Sequence, residues 1–186
     1  VIRDEMGWTL KKTIVMVGMM GAGKTAVGRA LAEELGVPFL DTDHEIETAA
    51  SMTIAEIFDR DGEPFFRARE TEVIQRLLDG RPCVLSTGGG AYLADRNRSL
   101  ISQKGVAVWL NADLELLWSR VKHRNTRPLL KTPDPKGTLT AFYEKRVPIY
   151  QQADLEVPAS PDISVQDMAA RVAQAVAQRP DVLERA

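Results

Sequence analysis

Residues 13–25, TIVMVGMMGAGKT, constrain this chain more than any other stretch: an apolar run over 14–17 breaks into a glycine-rich loop ending in Gly23, Lys24 and Thr25. Gly18, Gly23, Lys24 and Thr25 meet the pattern G-x-x-x-x-G-K-[ST], in which each residue type has a physical task. Glycine lets backbone N–H groups turn inward around an oxyanion with no Cβ in the way. The helix that follows presents unpaired amides and its positive dipole end to the same anion. Gly21, Ala22, Gly23, Lys24, Thr25 and Ala26 are therefore the expected contacts to the phosphates of a nucleotide. Lys24 should reach the terminal phosphates, and the Thr25 hydroxyl should support Mg2+.

The 186 residues suffice for one sizeable core and are too few for two independent domains. Net charge is −2, from 24 basic and 26 acidic residues, so neither a nucleic-acid partner nor a membrane surface is expected. Arginines that bind anions must be concentrated locally. Cys83 is the single cysteine and cannot close an internal disulfide; in the run Cys83, Val84, Leu85 it reads as a small buried hydrophobe, consistent with a reducing cytoplasm. Residues 1–8, VIRDEMGW, lack an apolar signal core, and no apolar run nears the ~18 residues of a membrane span. Residues 1–12 read as an N-terminal tail.

Strand-like and helical segments alternate, which predicts an α/β fold with a mostly parallel sheet. A second strand ends in Asp41, Thr42 and Asp43, whose i, i+2 carboxylates would share one side of an extended chain beyond the strand ends, near the phosphate loop. A short helix over 53–60 opens with Thr53 and Glu56 as a capping box, and a longer one over 64–78 begins at Pro64. On the longer helix Phe66, Val73 and Leu77 form an apolar stripe, with Arg67 and Glu70 at its border. Those two charges form either a solvated i, i+3 pair or a polar pocket beside the stripe.

A third strand runs into Ser86, Thr87, Gly88, Gly89 and Gly90, which is either a flexible turn or a place of close backbone approach to something bound. After a fourth strand, Leu114, Leu117, Trp118 and Val121 fall at core spacing on a helix. Residues 120–137 are basic and proline-rich without sustained periodicity, which reads as a mobile flap carrying arginines. His44 and His123 have no metal-ligand spacing around them. A helix over 138–147 puts Leu139, Phe142 and Arg146 on one stripe, so Arg146 points inward toward either a structural salt bridge or a bound anion. A last strand over 153–157 and a helix capped by Ser164 and Asp167 complete the chain.

A phosphate grip, a hydroxyl for a metal, two carboxylates, a cationic flap and two candidate inward arginines are the parts that phosphoryl transfer requires. Arg67 and Arg146 suit an acceptor with a carboxylate, and an aspartate facing a hydroxyl would accept its proton.

GMMGAGKT at 18–25, FLDTD at 39–43, FR at 66–67 with Glu70, STGGG at 86–90, RPLL at 127–130 and RVPIY at 146–150 together, in this order, resemble shikimate kinase over residues 13–178. The resemblance implies a single domain with a nucleoside-monophosphate-kinase-like fold: a five-stranded parallel sheet in the order 2-3-1-4-5, flanked by helices, with a lid at 120–137 and a substrate-binding region at 42–80. It implies transfer of the ATP γ-phosphoryl to the 3-hydroxyl of shikimate, on the route to chorismate and the aromatic amino acids, by a cytoplasmic monomer. Asp41 would help Thr25 hold hydrated Mg2+, and Asp43 would bind the acceptor hydroxyls and act as base beside Lys24 and Arg127. Arg67 and Arg146 would clamp the carboxylate, with Gly88, Gly89, Gly90, Phe58, Phe66 and Glu70 around the ring. Arg127 would close onto the phosphates, and Arg120 would stack on adenine. Ser86 stands at the end of strand three, so no aspartate follows that strand and Asp41 carries the metal role. Two rival readings are a kinase for another polyhydroxy acid such as gluconate, and a non-catalytic nucleotide switch.

Overall fold

The computed structural model describes residues 7–123 and 131–186, together with the backbone of Ile2–Arg3. In chain order the elements are β1 (Ile2–Arg3), β2 (Trp8–Leu10), β3 (Thr13–Val17), α1 (Lys24–Leu35), β4 (Phe39–Asp41), α2 (Thr42–Ala50), α3 (Ile54–Asp79) and β5 (Val84–Ser86). A 3-10 turn at Ala91–Leu93 then leads to α4 (Asp95–Lys104), β6 (Gly105–Asn111), α5 (Leu114–Val121), α6 (Pro135–Tyr150), β7 (Leu155–Pro158), α7 (Val165–Val176) and β8 (Leu183–Arg185).

The main sheet runs β4-β5-β3-β6-β7 with every neighbouring pair parallel, which is the expected order 2-3-1-4-5 of its strands. β3, β5 and all but the last residue of β6 are buried throughout, because a parallel strand covered on both faces reads as a continuous apolar run. The phosphate loop therefore leaves the central strand, and both Asp41 and Ser86 end strands on the same side of it. Helix α1 packs against α7, and α4 lies against β6. A separate small core of Ile46, Ile57, Phe66 and Val73 joins α2 to α3, so residues 42–80 carry apolar contacts of their own.

Four local expectations change. Asp43 does not extend the second strand: Asp41 accepts the His44 N–H at 3.1 Å and caps α2, which places Asp43 in the first turn of that helix. The expected helices over 53–60 and 64–78 are two arms of α3 separated by Gly62, at φ 82° and ψ 169°, with Pro64 starting the second arm. The stretch 120–137 is shorter as an irregular segment than its composition suggests. Arg120 and Val121 complete α5, and Asp134 accepts from Gly137 N–H to cap α6 three residues before the expected start of that helix at 138. Residues 7–12 are no tail: β2 is the middle strand of an antiparallel sheet β1-β2-β8, with Trp8 and Leu10 buried, and the Arg185 guanidinium lies 4.6 Å from the Trp8 ring centroid.

Helix α4 was not anticipated. Its sequence, DRNRSLISQK, is polar nearly all round and buries only Asn97 and Ile101, so it shows no apolar stripe. Among the described residues no helix is long and apolar enough to cross a membrane.

Candidate active site

The phosphate loop owes its shape to positive φ at Gly18 (145°), Gly21 (83°) and Gly23 (96°), a run of angles that only glycine adopts cheaply. Lys24 sits at the first position of α1, and its ammonium donates to the carbonyls of Gly18 at 2.5 Å and Met19 at 3.2 Å, so the cation bends back over its own loop. Thr25 and Ala26 are exposed in the first turn of α1, and Ala22 is buried beneath the loop. Arg120, from the last turn of α5, donates through Nη1 to the carbonyls of Gly21 at 3.0 Å and Ala22 at 3.2 Å. Its side chain thus flanks the phosphate loop. Arg127 lies outside the described residues.

Beyond the loop, three successive glycines each face a different charged group. A Cβ added to Gly88 would stand 2.7 Å from Oδ1 of Asp43. At Gly89 it would meet Arg146 Nη1 at 3.0 Å, and at Gly90 it would meet Arg67 Nη2 at 2.5 Å. An alanine would press on these groups, so the turn lies close against three charged side chains of the protein itself rather than being slack. The turn itself is held in place: the Thr87 hydroxyl donates to Met16 O at 2.9 Å, and Gly88 N–H donates to the buried Thr42 hydroxyl at 3.2 Å.

The two arginines come from α3 and α6, far apart in sequence, and meet on adjacent residues of that turn. They are not equivalent. Arg67 donates to Glu70 at 2.9 Å and lies 3.5 Å from Glu63, and Glu70 is only 1% exposed, so the pair is anchored on a buried carboxylate and is not a fully solvated surface pair. Burial raises the Glu70 pKa, and the Arg67 charge opposes that rise. Arg146 is 9% exposed and makes no ion pair among the described residues; its guanidinium lies 4.6 Å from the Phe142 ring centroid. A buried cation without a counter-ion is costly unless an anion can join it. Phe66 is buried and its ring centroid lies 4.8 Å from that of Phe58, whose side chain reaches solvent at the rim.

Asp43 faces this constellation with its pKa raised to about 6. Burial is the main cause, the neighbouring charges of Asp41 and Glu70 add to it, and Lys24 opposes it. Because the folded pKa lies above the ordinary 3.8, the contribution of Asp43 to stability is fully present below that value and is lost as pH rises through 6. Asp43→Asn should therefore be more stable than the parent above pH 7, by on the order of 1 kcal/mol after allowance for solvent screening, and should lose that advantage near pH 4. Thermal melts of the two proteins across pH 4–8 measure the gap; a constant gap would mean that Asp43 does not titrate in this range.

Asp41 and Thr25 offer a carboxylate and a hydroxyl near the loop. Mg2+ takes hard oxygen ligands, needs few from protein, and fills the rest of its octahedron with water and phosphate oxygens. The Asp41 Oδ1 is engaged at the helix cap, which leaves Oδ2 for a metal-bound water. The donor set fits.

Two further residues act at the site and were given no role from the sequence. Asn97, fully buried on α4, donates to Ala91 O and accepts from the Thr71 hydroxyl, both at 2.8 Å, and so ties the end of the glycine turn to the helix that carries Arg67. The Tyr150 hydroxyl donates to Gly89 O at 2.8 Å. Asn97 has no sequence signal, since its partners lie on other elements; Tyr150 stands four residues after Arg146, on the same face of α6.

Residues 20–177 match the family model described as shikimate kinase. The chain is 66% identical over 175 residues to a shikimate kinase of Ruegeria pomeroyi, covering 94% of this chain and 90% of that protein. It is 65% identical to one from Cereibacter sphaeroides, with 94% and 87% covered. Among solved structures it resembles the shikimate kinase from Acinetobacter baumannii in complex with shikimate, at a TM-score of 0.82 and 40% identity, covering 90% of this chain and 93% of that one.

Proposed function

The chain belongs to the shikimate kinase family, and from that premise we propose that it transfers the γ-phosphoryl group of ATP to the 3-hydroxyl of shikimate, giving shikimate 3-phosphate and ADP. The observation that carries the proposal is Arg146, a buried guanidinium with no carboxylate partner among the described residues, meeting Arg67 on the turn that also faces Asp43. A ring acid can give its carboxylate to the two guanidinium groups and turn a hydroxyl toward Asp43.

In the reaction, the acceptor oxygen forms a bond to the γ-phosphorus as the bond from that phosphorus to the β,γ-bridging oxygen breaks, and ADP departs. Asp43 orients the hydroxyl and takes its proton; a carboxylate with its pKa near 6 is a stronger base than an ordinary aspartate and is still ionised at neutral pH. Lys24 swings from the loop carbonyls to the β- and γ-phosphates, and the loop amides from Gly21 to Ala26 cradle them. Thr25 and Asp41 would hold Mg2+, which would supply neutralisation of the phosphate charge. Arg120 packs along the nucleotide base, and Arg127, in the segment between α5 and α6, closes onto the phosphates. The Glu70 carboxylate accepts from Arg67 Nη1 with both oxygens and so holds that side chain in place, and Phe58 and Phe66 bound the ring on the side of region 42–80. The enzyme works as a monomer in the cytoplasm, where its single buried cysteine stays reduced.

A coupled ADP-release assay with shikimate, quinate, gluconate and no acceptor tests the reading. Turnover should require shikimate. Turnover with gluconate instead would point to a different polyhydroxy-acid kinase, and acceptor-independent hydrolysis would point to a nucleotide switch.

A further inference from the structure

The Tyr150 ring is 1% exposed and is fixed between two aromatic neighbours, with its centroid 6.4 Å from that of Tyr92 and 6.3 Å from that of Trp109. Its hydroxyl donates to the carbonyl of Gly89 at 2.8 Å, and a Cβ built on Gly89 would stand 3.0 Å from Arg146 Nη1, so the phenol holds the piece of backbone that this guanidinium faces. Arg146 lies one helical turn before Tyr150 on α6. The phenol cannot shift without breaking this bond or moving its ring away from those of Tyr92 and Trp109.

We propose that Tyr150 is a positioning residue for acceptor recognition: it fixes the orientation of Arg146 relative to the glycine turn, so that the guanidinium meets the acceptor carboxylate already aligned. A long side chain loses rotamer freedom when it captures a ligand, and prior immobilisation removes that cost from the binding step. Tyr150 touches no reacting atom, so its influence falls on acceptor affinity rather than on phosphoryl transfer or nucleotide binding. This inference rests on the proposed activity.

Tyr150→Phe removes one oxygen and keeps the stacked ring. Its KM for shikimate should rise roughly five- to tenfold, as loss of a single neutral hydrogen bond allows, while KM for ATP stays within about twofold of the parent. Shikimate affinity measured by calorimetry without nucleotide should fall by the same factor. With the carboxamide analogue of shikimate, which presents no carboxylate to Arg146, parent and variant should differ by less than twofold in KM. An unchanged KM for shikimate overturns the inference, and so does an equal penalty with the carboxamide or a parallel rise in KM for ATP, either of which would mark a merely structural role. If the parent itself fails to phosphorylate shikimate, the activity reading fails and the inference falls with it.

Discussion

Asp43→Asn should lower kcat with shikimate by roughly 10²–10⁴-fold, the range that a positioned general base contributes. The amide is nearly isosteric, so the acceptor can still dock, but it cannot receive the proton released as the acceptor oxygen attacks phosphorus. Nucleotide affinity should change little, because Asp43 lies beyond the phosphate loop and repels rather than binds phosphate. The variant should also be the more stable protein at neutral pH, since burial beside Asp41 and Glu70 disfavours the ionised form that the reaction needs. Activity and stability then move in opposite directions on one substitution, as expected where a site holds a strained charge for chemistry. Initial rates at saturating ATP and shikimate check the first part, and a wild-type kcat would remove Asp43 from the proton transfer.

Arg146→Ala should raise KM for shikimate on the order of 10²-fold, because truncating one partner of a buried, hydrogen-bonded charge pair costs about 2–5 kcal/mol. ATP binding, measured by calorimetry without acceptor, should survive. Arg67→Ala is the instructive comparison: it also strands Glu70, a carboxylate 1% exposed, so its effect combines lost acceptor binding with a local rearrangement of α3. Arg146 has no such dependent among the described residues, which makes it the cleaner probe. Unchanged shikimate affinity in Arg146→Ala would contradict the clamp.

The legibility of this chain follows the range of the interactions involved. The phosphate loop was readable because its glycines, lysine and threonine serve a local geometry that leaves a local pattern. The inward direction of Arg146 was readable from its spacing to Leu139 and Phe142, but whether it met a salt bridge or stood alone depends on elements distant in sequence, and only the fold decides that. The same holds for the glycines at 88–90. Slack turn and close approach have one sequence and differ only in what lies opposite. Asp43 was misplaced locally because an Asx cap at Asp41 starts a helix where alternation suggested a continuing strand. Helix α4 escaped because its role is to bring one buried amide, Asn97, to the end of the glycine turn rather than to bury a stripe.

The pairing of β2 with β8 sets Trp8 opposite Arg185 and Leu10 opposite Leu183, and Ala186 N–H donates to Gly7 O at 2.6 Å. A load applied at Gly7 and Ala186 would therefore peel this ladder one rung at a time instead of shearing all of its rungs together. β2 continues through Lys11 and Lys12 into the strand that carries the phosphate loop, so the first tug is spent on a sacrificial seam before tension reaches the catalytic half of the molecule.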